Sequence, residues 1–327
     1  MVNYTKSLRF LAVEKITFIY IIITSIIIAS LSSRSLNFEE LFSSRIFIIV
    51  VIFILAYLNS IWNWKSLRFA RYLFLGGLLS FWYPDTFDIN RVLSNHDNLI
   101  AGWEQFVFGC QPSLLFGEEY PQNWISEIFN MGYFSYYPII LGSGLYFYFF
   151  DHKKYDNFFF VVMCSFYIFY LIYILFPTAG PQYYFHVIDL VQIQKAAFPN
   201  IGYFFNFHNE LHESAYHSGL FFQLVEHTQQ VGERPTAAFP SSHVGISTLI
   251  MIMIFRFRKY GLFAFILPLY LALVFATVYI QAHYVVDVLS GFISAVVLFF
   301  VSNRIYNWYM RNFSEDESDD SVENETK

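Results

Sequence analysis

Two short stretches of the 327-residue chain concentrate the groups that phosphoryl transfer needs. In the first, "GERPTAAFPSSH", Arg234, Ser241, Ser242 and His243 surround two prolines at the mouth of an apolar run. Pro240 suits a helix entry and Ser241 and Ser242 are good N-cap residues, so the spacing predicts a helix starting here with His243 in its first turn. The free N–H groups and positive dipole end of such a terminus bind anions, phosphate above all. Arg234, six positions before Pro240, adds a planar fork for the same phosphate.

The second stretch, "QAHYVVDVLSG", places His283 and Asp287 four apart, on one face of a helix. A carboxylate there would accept a hydrogen bond from one imidazole nitrogen, fix the tautomer and leave the other nitrogen free to attack. Either histidine alone reads as a capped or interfacial side chain, and Ser241 and Ser242 as caps only. The joint arrangement of two helix-starting histidines, one carboxylate and one arginine is what points to phosphoryl transfer.

Helices must position these groups, and the composition says of what kind. The chain is 56% hydrophobic, 22% aromatic and 13% charged, far from the roughly one-quarter charged content of soluble domains. Apolar runs long enough for a hydrocarbon core about 30 Å thick recur along it, and backbone in lipid must pair internally. The expectation is an all-α, polytopic integral membrane bundle of about eight transmembrane helices. The spans are Ile16 to Ser32, Ile46 to Trp62, Leu67 to Trp82, Trp124 to Phe149, Phe158 to Phe176, Ser242 to Phe255, Gly261 to Tyr279 and Tyr284 to Val301. The first is followed by Ser-Ser-Arg rather than a cleavage site, so it reads as a retained helix. One helix inward and one back outward separate His243 from His283, which returns the two to the same membrane depth.

Lys and Arg fall mostly on one side of this topology, Arg71 among them, with Arg45 on the other, which puts both termini in the cytoplasm and the histidines on the outer, periplasmic or lumenal, face. The acidic segment 312–327 reads as a disordered tail and accounts for much of the net charge of −6; nothing in the balance suggests nucleic acid. Cys110 and Cys164 lie at different depths, which argues against a disulfide. The two long outer loops, Tyr83 to Asn123 and Pro177 to Phe239, are where chemistry is expected. In the first, Leu99, Ile100, Trp103, Phe106 and Val107 have the spacing of an amphipathic interfacial helix.

"RPTAAFPSSH" and "AHYVVDVLSGF" resemble two signature motifs of the type 2 phosphatidic acid phosphatase superfamily. The resemblance implies a catalytic core over 67–311 behind two N-terminal helices over 1–66. It implies His283 as the nucleophile forming a phosphohistidine, Asp287 as its orienting partner and His243 as the acid for the leaving alkoxide. It implies no metal and no cofactor. Two cations of the phosphatase pattern are missing, since His227 stands where a lysine is usual and Ala276 and Thr277 where Ser-Arg is usual. "HY-x-VD", "DNLIAGWEQFVFG" and "FPTAGPQYYF" are similar to the branch containing inositol phosphorylceramide synthases and sphingomyelin synthases. That branch implies transfer of a phospho-headgroup from a phospholipid donor to a ceramide-like or diacylglycerol-like acceptor, with Gln182, Tyr183 and His227 as headgroup contacts. A lipid phosphate phosphatase is the alternative.

Two other classes stay open on the sequence. "HNELHESAYH" offers His208, His212 and His217, with Glu210 or Glu213, as zinc ligands, although Asn209 breaks the HExxH pattern. A transporter or scaffold is disfavoured because the spans carry no charge near their middles apart from Arg71.

Overall fold

The structure, a computed structural model, describes residues 8–31, 36–208 and 219–313, and every regular element among them is helical. In chain order these are α1 Ala12–Ser30, α2 Phe38–Trp62, α3 Lys65–Asn90, α4 Asp97–Phe108, α5 Pro112–Glu119, α6 Asn123–Phe134 and α7 Tyr136–Phe150. There follow α8 His152–Leu175, α9 Pro181–Val187, α10 Leu190–Gln194, a 3₁₀ turn Phe204–Asn206, α11 Leu220–Gly232, α12 Ser242–Arg256, α13 Tyr260–Tyr279 and α14 Val285–Phe313.

Five of these helices, α1, α2, α8, α13 and α14, are long and apolar enough to cross a membrane. The expected eight would also need α3, the α6–α7 pair and the 15-residue α12. The single span expected over 124–149 is two helices that meet at Ser135. Its hydroxyl donates to the Gly132 carbonyl at 2.5 Å, offering that carbonyl a partner other than the next helical amide.

Helix α8 runs through the interior, burying Phe160, Val161, Phe169 and Tyr173. Helix α1 joins it through a Thr17–Tyr167 hydroxyl pair at 2.9 Å and Tyr20 stacked on Tyr167. Arg45 of α2 forms a forked, fully buried pair with Asp85 of α3 at 2.9 and 2.8 Å, and Arg71 of α3 does the same with Glu14 of α1. The sequence topology places both arginines among the charges flanking the spans. They lie within helices and are neutralised there, because a lone cation in a bundle is tolerated only when paired.

Under the histidine pair, α12 and α14 touch backbone to backbone. A Cβ on Gly291 would meet the Ser241 carbonyl oxygen at 2.7 Å and the Gly245 amide at 3.3 Å. Small residues are what let two membrane helices approach this closely.

Helix α4 is amphipathic as expected, but its buried face carries charge. Asp97, Ile100, Ala101 and Glu104 turn inward, while Leu99, Trp103, Phe106 and Val107 are exposed. Ile100 thus leaves the apolar stripe it was grouped with and joins the packed face, three residues after Asp97 and four before Glu104.

Candidate active site

The loop from Arg234 to Pro240 lies against the Pro177–Gly180 loop that follows α8. Ala238 N–H donates to the Thr178 carbonyl at 3.0 Å, and Phe239 N–H to the Thr178 hydroxyl at 2.8 Å. Asn90 donates to both the Tyr173 carbonyl and the Thr236 hydroxyl at 2.7 Å. Tyr173 hydroxyl donates to the Pro240 carbonyl at 2.8 Å. These bonds hold the loop in place ahead of α12.

His243 and His283 meet across the α12–α14 crossing, with His243 Nδ1 3.2 Å from His283 Nε2. His283 Nδ1 lies 2.9 Å from the Ala238 carbonyl oxygen. A carbonyl only accepts, so Nδ1 carries the hydrogen, and Nε2 presents its lone pair toward His243. Burial lowers the His283 pKa to about 4, with the Ala238 bond working partly against that fall. The ring is therefore neutral near pH 7. His243 is clasped between two tyrosines, stacked on Tyr133 at 4.8 Å and against Tyr136 at 4.4 Å between centroids.

Asp287 holds a different position from the one its spacing suggests. Its Oδ2 is 3.5 Å from His283 Nδ1, and accepts instead from Tyr284 N–H at 2.8 Å. Three residues into α14, it caps the helix while standing beside the imidazole. The partner that sets the His283 tautomer is Ala238, a backbone carbonyl that no side-chain pattern reveals.

Ser241 is buried, and its polar groups are engaged in the fold. Its hydroxyl oxygen caps α12 by accepting from Val244 N–H at 3.3 Å, and its amide donates to the Asp287 carbonyl at 3.1 Å. These bonds make Ser241 a joint between α12 and α14. Ser242 sits beside Tyr136 and Tyr173. Neither the Ser242 nor the His243 amide donates to another backbone group among the described residues. Arg234 donates to the Glu233 carbonyl at 2.8 Å and forms no ion pair among the described residues.

Of the other candidates, Gln182 donates to Glu233 at 2.7 Å, and Glu233 also accepts from Tyr133, the ring stacked on His243. Burial raises the Glu233 pKa. Tyr183 is buried and packs edge-on against Phe205, and His227 is exposed on α11. Thr277, where the phosphatase pattern has arginine, is buried with its hydroxyl on the Val274 carbonyl. Of the proposed zinc ligands, His208 is described and bonds the Phe204 carbonyl, while Glu210, His212, Glu213 and His217 lie outside the described residues. No group of three or more His, Cys, Asp or Glu placed to hold a metal occurs among the described residues.

Sequence reasoning missed the two carboxylates of α4. Glu104 accepts from Val285 N–H at 3.0 Å and Val286 N–H at 2.9 Å. Asp97 accepts from Ala179 N–H at 2.6 Å, Gly180 N–H at 2.8 Å, Asn95 at 2.6 Å and Tyr284 hydroxyl at 3.2 Å. Gly180 has φ +91°, and a Cβ there would meet the Ala282 carbonyl at 2.7 Å, so the loop passes close beneath the turn bearing His283. The signal was present as two acids seven apart on one helical face. It was outshone by the apolar stripe on the other.

The first turn of α14 is thus closed by Asp287 and Glu104, whose oxygens already take its amides, while the first turn of α12 keeps a free donor. Two histidines in hydrogen-bond reach at the head of two close-packed apolar helices, beside an arginine loop, mark an integral-membrane enzyme for phosphoester chemistry. The chain belongs to the PAP2 superfamily, whose match covers residues 100–301, more than half of its length. Members are typically phosphatases or phosphotransferases. No curated protein and no solved structure matches the chain.

Proposed function

We propose that the protein is a membrane lipid phosphotransferase that moves a phospho-headgroup from a phospholipid to a ceramide-like or diacylglycerol-like alcohol. The observation that carries this reading is His283 itself: neutral, with Nδ1 tied to Ala238 and the Nε2 lone pair 3.2 Å from His243. Substrate phosphorus would enter at Nε2, displacing the contact with His243. As the N–P bond forms, the bond to the diacylglyceryl oxygen breaks, and His243, protonated as the anionic phosphodiester binds beside it, gives that oxygen its proton. The His243 amide and Arg234 would bear the equatorial oxygens. The phosphohistidine is cationic on its ring, and the Asp287 carboxylate at 3.5 Å supports that charge. Neutral His243 then takes the proton of the acceptor hydroxyl as its oxygen displaces His283.

Hydrolysis differs only in the second acceptor. Burial of His283 at 3% exposure and the tyrosine clasp around His243 favour an alcohol over bulk water, as do the two absent phosphatase cations at His227 and Thr277. The reading places the histidines on the outer face, both termini in the cytoplasm, and eight spans in the bundle. Purified enzyme supplied with headgroup-labelled phospholipid, with and without ceramide or diacylglycerol, tests it. Label appearing in a new lipid only when acceptor is present supports transfer. Label released as free phosphate or phospho-headgroup without a new lipid would establish the phosphatase.

A further inference from the structure

At the end of the bundle away from the histidines, α12, α13 and α14 leave a groove of about 1090 Å³ between them. Its walls are apolar, with Ile252, Phe263, Leu267 and Phe300 among them. Its end farther from the histidines is basic, being lined by Arg256, Arg304 and Arg311, and no carboxylate lines it. Arg256 is partly spent, donating to Asn303 at 2.9 Å and lying 5.2 Å over the Phe299 ring. Arg304 and Arg311 are exposed and form no ion pair among the described residues. Seven positions apart on α14, they share a face.

Depth decides what kind of molecule this combination fits. Arg304 follows Val285 by 19 residues, which at about 1.5 Å each is about 29 Å, one hydrocarbon thickness from the histidine end. Its guanidinium therefore stands at the far membrane boundary, and Arg311 stands among the headgroups beyond. The wall supplied by α12 runs from Thr248 to Arg256, about 12 Å by the same rise, most of the depth of one leaflet. At the inner end the Thr248 and Tyr270 hydroxyls pair at 2.8 Å, on the side toward His243. A cleft most of one leaflet deep, apolar within and cationic at the headgroup level, has the shape and charge of a phospholipid with net negative charge.

We propose that this groove binds one anionic phospholipid from the leaflet opposite the histidine pair, its phosphate at Arg304 and Arg311 and its acyl chains along α12 and α13. The site is separate from the catalytic one, so failure of the headgroup-transfer reading leaves it standing.

Native mass spectrometry of the full chain in detergent, with phosphatidylglycerol or phosphatidylcholine of identical acyl chains, tests the assignment. One phosphatidylglycerol should be retained per chain in preference to phosphatidylcholine. Arg304→Gln and Arg311→Gln should each weaken that retention about fivefold, the worth of one basic residue at a lipid surface. Arg258→Gln, at the same end but outside the groove, should leave it unchanged. Ile252→Trp, which fills the groove without touching charge, should also lower retention, and it serves if the arginine variants unfold. Equal retention of the two lipids, an equal loss in Arg258→Gln, or no loss in Ile252→Trp would overturn the proposal. So would phosphatidylglycerol binding only after the chain is cut after Phe313, since the seven acidic residues beyond it would then be the natural occupant.

Discussion

His243 Nδ1 stands 3.2 Å from His283 Nε2, although 39 residues and two apolar helices separate them in the chain. With Nδ1 of His283 bound to the Ala238 carbonyl, its Nε2 is the nitrogen able to form a bond to phosphorus. Substituting His283 by Ala should abolish turnover and covalent labelling together. His243→Ala should slow turnover by about 10²- to 10⁴-fold, the usual worth of a general acid–base. Rapid quenching with labelled donor reads both. Label still trapped in the His283 variant would remove it as nucleophile.

Burial holds the His283 pKa at about 4, below the ordinary imidazole value of 6.5. A lowered pKa keeps the ring neutral down to that value, so the acidic limb of phosphoenzyme formation should fall only as pH approaches about 4. The same shift affects stability. The unfolded chain takes up this proton between about 6.5 and 4 while the fold refuses it, so the contribution is whole above 6.5 and is lost as pH falls toward 4. A limb centred near 6.5 would contradict the buried, neutral nucleophile.

Glu104 closes the first turn of the helix that follows His283. Glu104→Ala leaves two part-buried amides without acceptors and should cost about 1–3 kcal/mol of stability. Glu104→Gln keeps an acceptor oxygen and should recover part of it. Thermal unfolding in detergent, paired with kcat on the surviving fold, separates the two effects. Equal behaviour of Ala and Gln would show that the carboxylate does not hold the turn.

Gly291 lies where α14 crosses α12, with the Ser241 carbonyl 2.7 Å from an added Cβ. Gly291→Ala must push α12 and α14 apart at the level of the two histidines, since a backbone carbonyl cannot swing aside as a side chain does. The expected result is at least about a tenfold loss in kcat, because small misplacements of reacting groups are costly. Unchanged kcat would mean the crossing does not set the His243–His283 distance.

The Arg45–Asp85 pair joins α2 to α3 with both side chains buried. Arg45→Met strands the carboxylate and should destabilise by about 3–5 kcal/mol, whereas Arg45→Met with Asp85→Leu should restore most of that loss. Midpoints of thermal unfolding check it. A double variant no better than the single would show that the cost comes from lost packing.

Composition and hydrophobic period were enough to read a helical membrane protein, because lipid forces every backbone group to pair within its own helix. The residue types at 234, 241–243, 283 and 287 likewise announced phosphoester chemistry, since helix starts and i, i+4 faces are local properties of the chain. Three things depended on the tertiary structure. The amides that anchor His283's turn are capped from α4, some 180 residues away; the His283 tautomer is set by the Ala238 backbone; and the amide of Ser241 is consumed by Asp287's carbonyl. Each involves a backbone group whose partner comes from a distant segment. Every residue carries the same N–H and C=O, so no residue type marks which of them will meet once the helices have packed.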